Sequence, residues 1–127
     1  MKQVFLSVGL VLGLLILEVA CDYGKSGGGA PTADSALMSP ASSAGRMVND
    51  EGVGHYQQGH WDVSEGYFRK AIKADPNLAE AHYNLGLTLD KMGKHEAATT
   101  EFKKAAELAP TNPAIKDSAI LKKHIAM

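Results

Sequence analysis

Residues 81–110 read AHYNLGLTLDKMGKHEAATTEFKKAAELAP, and the reading of this stretch decides the fold. Leu78 just before it, then Ala81, Leu85, Leu89 and Met92, recur at three- and four-residue steps, the spacing of one helical face. Gly93 follows, where the chain must leave helical geometry and a missing side chain removes the left-handed penalty. From about His95 the same spacing returns in Ala98, Phe102, Ala105 and Leu108, until Pro110 bars continuation. Asn77 is expected to cap the first of these helices, with Glu80 three residues later closing a capping box. The unit is two helices folded back on each other across a short turn.

Working outward towards the N-terminus, the same signals recur 34 residues earlier. Gly52 matches Gly86, Gly59 matches Gly93, Phe68 matches Phe102, Lys70-Ala71 matches Lys104-Ala105, and Pro76 matches Pro110. A fixed period of this length marks stacked supersecondary units, none of which buries its apolar face alone. The earlier unit places one helix at about Ala44 to Gln58 and a second at about Asp62 to Ala74. Asp62 and Glu65 form the expected capping pair, and Glu65 with Arg69 a surface pair. Its first helix is the weaker, because Gly52 and Gly54 each cost about 1 kcal/mol in a helix interior. Glu51 falls on a core-facing place, where an unpaired carboxylate is costly. That helix is expected to lean on a neighbour, either the Leu37-Met38 region or a partner.

Towards the C-terminus, Asn112-Pro113 is a helix start, since proline is free at the first helical position. Ala114, Ile115, Ser118, Ala119, Leu121 and Ile125 share one broad side of the tail, as a helix covering the flank of the last unit would. The expected fold is all-α: antiparallel helix-turn-helix units at 45–78 and 79–112 and a covering helix at 113–125, in one domain at 44–127.

The second unit resembles the tetratricopeptide repeat family. The family pattern W-x2-L-G-x2-Y, then A-x3-F, a later Ala and a Pro, is met by His82, Leu85, Gly86 and Leu89, then Ala98, Phe102, Ala105 and Pro110. Val48, Glu51, Gly52 and His55, followed by Ser64, Phe68, Ala71 and Pro76, meet it more loosely. The resemblance implies a curved stack whose first helices line a groove for another protein or peptide segment. Carried over, the groove positions are Arg46, Asn49, Val53, Tyr56 and Gln57, then Glu80, Tyr83, Leu87, Asp90 and Lys91. Asp117, Leu121 and His124 of the covering helix extend it, and Tyr56 and Tyr83 are the expected anchors. Some family members clamp a terminal carboxylate with Lys, Arg and Asn. Here Arg46 and Lys91 are mixed with Glu80 and Asp90, so an extended or helical segment of mixed polarity is the expected ligand.

Ahead of the repeats lies a different kind of sequence. Lys2 precedes an uncharged, mostly apolar run from Val4 to Leu17, followed by Glu18-Val19-Ala20-Cys21. Fourteen helical residues rise about 21 Å, short of the roughly 30 Å hydrocarbon core, which suits a secretory signal over 1–20. An uncleaved signal anchor is the alternative. Cys21 is the single cysteine, so no intramolecular disulfide forms. Its position resembles the acylated first residue of a bacterial lipoprotein, implying a palmitate-type anchor on an exported protein of the cell envelope. Glu18 departs from the aliphatic residue usual in that motif, and the other reading is ordinary cleavage that leaves a free thiol. Residues 21–43, rich in Gly, Ser and Pro, read as a flexible tether.

The formal net charge of -1 gives no general attraction to nucleic acid. His55 and His82 occupy packed aromatic positions of the pattern, while His60, His95 and His124 lack structural-zinc spacing. No phosphate loop, nucleophile elbow or catalytic pairing is present in the sequence, so no catalytic, cofactor or metal residue is expected. The sequence therefore points to a non-enzymatic assembly or interaction protein. A self-associating spacer is the second reading, and an enzyme or metal carrier a distant third.

Overall fold

A computed structural model describes residues 35–126. Among the described residues it is all-helical, in the order α1 (Arg46–Gln57), α2 (Trp61–Ala74), α3 (Ala79–Lys91), α4 (His95–Leu108), α5 (Pro113–Lys116) and α6 (Ala119–Ile125). The expected signal over 1–20, Cys21 and the first part of the tether lie outside the described residues. None of the described helices is long and apolar enough to cross a membrane.

The two turns inside the repeats are built alike. Gly59 and Gly93 take φ of +77° and +75°, the left-handed region that a side chain resists. After α3, Lys94 N–H reaches back to the Leu89 carbonyl at 2.8 Å and Gly93 N–H to that of Asp90 at 2.9 Å. After α1, His60 bonds to His55 and Gly59 to Tyr56, each at 3.0 Å. Both helix ends thus close their last carbonyls in the same six-to-one loop.

The helix pairs approach closely at Gly52 and Gly86. A Cβ on Gly86 would stand 2.8 Å from the ring of Phe102, and one on Gly52 2.7 Å from that of Phe68. Both rings are fully buried, as are Ala71, Ala98 and Ala105 beside them. Burying each ring contributes about 1.5–3 kcal/mol, which needs the glycine to admit it. The 34-residue period is therefore a packing period.

Several local expectations are corrected. Asn77 does not cap α3: its N-cap is Leu78, without a side-chain bond, and Asp75 Oδ1 instead accepts from Asn77 N–H at 3.1 Å. Asp62 does not cap α2, which starts at Trp61 behind His60. Glu51 is exposed and accepts from the Tyr67 hydroxyl at 3.1 Å. Its counterpart Leu85 is buried where α3 meets α2, whereas no described helix pair stacks before α1.

The single covering helix expected at 113–125 is broken in two. Asn112 caps α5, accepting from Ala114 N–H at 3.0 Å, and Pro113 sits in its first turn as expected. At Ser118 the backbone turns extended, with ψ of 126°, and its hydroxyl oxygen accepts from Leu121 N–H at 3.3 Å to start α6. The same hydroxyl lies 2.8 Å from that of Tyr83, so a bond to the core fixes the break.

Residues 35–43, read as part of a flexible tether, lie on the domain. Ser39 N–H donates to Asp50 at 2.9 Å and the Ser43 hydroxyl to Asp75 at 2.8 Å. Ala36 and Leu37 pack against the main apolar cluster, which draws this segment out of solvent.

Candidate functional site: a groove closed by its own chain

The first helices of the two units, α1 and α3, meet the segment at 35–39 along the face expected to receive a partner. Asn49 and Asn84 sit in helix interiors, fully buried, where a carboxamide needs partners for both its ends. They find them in Leu37. The Leu37 amide donates to Asn84 Oδ1 at 2.6 Å, and its carbonyl accepts from Asn84 Nδ2 at 2.7 Å and Asn49 Nδ2 at 3.0 Å. Asn84 Nδ2 also donates to Asn49 Oδ1 at 2.9 Å, so the two carboxamides orient each other. Together they read the main chain of one residue and leave its side chain to the apolar surface.

That arrangement corrects the expected open groove. Asn49, Val53, Tyr56, Tyr83 and Leu87 are buried in the domain and do not face solvent. Tyr56 packs edge-on to Trp61 with ring centroids 4.9 Å apart, and Tyr83 tilts against Phe102 at 5.6 Å. Both expected anchors serve the core. Of the remaining positions, Arg46, Gln57 and Lys91 are exposed, with Arg46 3.6 Å from Asp50. Glu80 accepts from Asn112 Nδ2 at 3.3 Å, and Asp90 faces two histidines. In the covering region Leu121 and His124 are buried and Asp117 is exposed. Asn84 was missed as a groove residue. Its only sequence signal was a carboxamide, a weak helix former, set among apolar neighbours of α3.

The model of the tetratricopeptide repeat matches residues 49–113, just over half of the chain. The chain belongs to the tetratricopeptide repeat family. It is also similar to anaphase-promoting complex subunit 3 of Schizosaccharomyces pombe, at 34% identity over 62 residues. That match takes in 49% of this chain and 9% of the relative, so the chain spans under a tenth of that protein's length. Tetratricopeptide repeats generally mediate protein–protein interaction or assembly.

Several polar sites within the repeats carry perturbed protonation, His82 and Asp90 among them. His82 stands where the family pattern has an aromatic and is buried, with Nδ1 2.7 Å from Glu101 and Nε2 3.0 Å from the Pro76 carbonyl. Burial alone would push its pKa down. The bonds to Glu101 and the carbonyl outweigh that and hold it above the ordinary value. Asp90, at the end of α3, lies 2.8 Å from His95 Nδ1 and 3.0 Å from His124 Nε2. Burial raises its carboxyl pKa, but the two imidazoles more than offset this and hold it below the usual carboxylate range. His124 lies 29 residues from His95 and 34 from Asp90, which is why spacing along the chain did not group the three.

Proposed function

We propose that this tetratricopeptide protein is a non-enzymatic assembly factor whose groove grips the main chain of an extended polypeptide segment. The observation that carries this reading is the pair of carboxamides on Leu37. Hydrogen bonds to one residue's amide and carbonyl are indifferent to its side chain, so the grip suits any extended strand with a small residue followed by an aliphatic one. Residues 35–39 are then a resident ligand, seated in cis, which a partner strand replaces. The setting we propose is the bacterial cell envelope, with export by residues 1–20 and a lipid anchor on Cys21.

The experiment uses Leu37→Asp, which places a carboxylate against the apolar cluster and unseats the segment. The unseated chain is expected to bind a labelled peptide DSALMSPAS, residues 34–42, which the native chain leaves in solution. Asn84→Ala in the same background removes both of its bonds to the segment's Leu37 position and is expected to weaken binding at least tenfold. An unseated chain that takes up no peptide, or takes it up equally without Asn84, would overturn the grip. For the anchor, Cys21→Ser is expected to abolish palmitate labelling and membrane partitioning. Unchanged labelling sinks that part alone. Self-association as a spacer is the second reading, favoured by Met47, which is 82% exposed on α1. A concentration-dependent size that Met47→Lys abolishes would establish it.

A further inference from the structure

A separate feature joins the C-terminal helix to the second repeat. Asp90 lies in the last turn of α3, His95 opens α4 just past the Gly93 turn, and His124 lies in α6. One ligand atom from each lies within 4.8 Å of both others. His124 is held rather than loose: it is 4% exposed, and its Nδ1 is 2.9 Å from Thr99 Oγ1. Thr99 gives its own hydroxyl hydrogen to the His95 carbonyl at 2.9 Å, which leaves its oxygen to accept from His124 Nδ1–H. When Nδ1 holds the ring's one proton, Nε2 turns a lone pair to the Asp90 carboxylate, 3.0 Å away. Two such acceptors stay together only with a cation between them, which is either a second proton or a metal ion.

We propose that Asp90, His95 and His124 bind a divalent late-transition-metal ion of the Zn²⁺ class, which clasps α6 to the α3–α4 hairpin. Two imidazoles and one carboxylate suit this class better than Mg²⁺ or Ca²⁺, which take oxygen ligands. The hydroxyl on the far nitrogen of His124 is the outer partner that sets tautomer and ring plane in such sites. Around a tetrahedral ion with bonds of about 2.0–2.1 Å, ligand atoms sit roughly 3.3 Å apart. The Asp90 oxygen therefore retreats a few tenths of an ångström from each histidine, while the two imidazole nitrogens, within 4.8 Å of each other, move towards that spacing. His95 supplies the freedom for this, being on the outer side with a side chain 63% exposed. That side leaves a fourth position to water. The ion's role is structural, because its ligands join α6 to the α3–α4 hairpin.

The test is titration of the purified full-length chain with Zn²⁺ by calorimetry, and with Co²⁺ by visible absorption. One equivalent is expected to bind, Co²⁺ giving the intense bands of a four-coordinate site and Zn²⁺ raising Tm by about 5 °C or more. His124→Ala risks the packing of α6, so the deciding variants are His95→Ala and Asp90→Asn. His95 is largely exposed, and its replacement is expected to keep the metal-free Tm while reducing affinity at least tenfold. Binding that persists in both variants marks an adventitious surface ion and overturns the proposal. So does the absence of binding in the native chain, which would assign the shared cation to a proton.

Discussion

Gly86 and Gly54 are both interior helical glycines, and the space around them sets opposite expectations. A methyl on Gly86 would meet the buried Phe102 ring at 2.8 Å, a ring enclosed by its own neighbours. Gly86→Ala is therefore expected to destabilise the domain by about 1–3 kcal/mol, despite the better helix propensity of alanine. Nothing lies within 4 Å of a Cβ at Gly54, so Gly54→Ala is expected to stabilise by roughly 0.5–1 kcal/mol. Urea midpoints of the two variants check both signs, and a shared sign would end the close-packing account. His82 supplies a pH dependence at the same scale. Its folded pKa is raised, so its contribution is complete below about 6.5, its unfolded value, and is lost as pH rises through the higher folded value. The urea midpoint is expected to fall between pH 6 and pH 8.5, and the fall to shrink in Glu101→Gln. An unchanged pH profile in that variant would remove Glu101 as the cause.

At the scale of elements, the segment at 35–39 and α6 hold the domain from either side. The Leu37 amide has a side-chain partner at 2.6 Å where a tether would leave it in water. It is expected to exchange with solvent slowly in the native chain and quickly in Asn84→Ala, which loses about 2–4 kcal/mol with three broken bonds, two to Leu37 and one to Asn49. Amide exchange followed by NMR measures both, and a fast-exchanging native Leu37 amide would contradict the seated segment. Ser118→Ala removes the α6 cap and the bond to Tyr83 together. A loss of about 1 kcal/mol or more is expected in thermal or urea unfolding. Helix existence, the two glycine turns and the Asn112-Pro113 start were legible along the chain, because each depends on neighbours in sequence. The caps of α2 and α3 were not. Neither helix start carries a side-chain cap, and Asp75 accepts from Asn77 N–H while its other oxygen takes the Ser43 hydroxyl from 32 residues away.

For the whole molecule, stability is expected to run along the stack. From Ala81 to Leu89 every residue of α3 is buried, flanked by α2, α4 and the seated segment, while α1 keeps an exposed side carrying Glu51 and Met47. Hydrogen exchange should therefore protect α3 and α4 most and release α1 first, as expected for units stabilised by their neighbours. Equal protection across 46–57 and 79–108 would mean a single cooperative block instead. The sequence by itself determined the repeat, its period and its close-packed glycine–phenylalanine pairs, since these follow from spacing and from the size of a side chain. Only the tertiary structure decided what the groove holds and where the polar clusters lie. The Leu37 backbone meets Asn84 across 47 residues and Asp90 meets His124 across 34, and contacts between distant segments leave no periodicity to read.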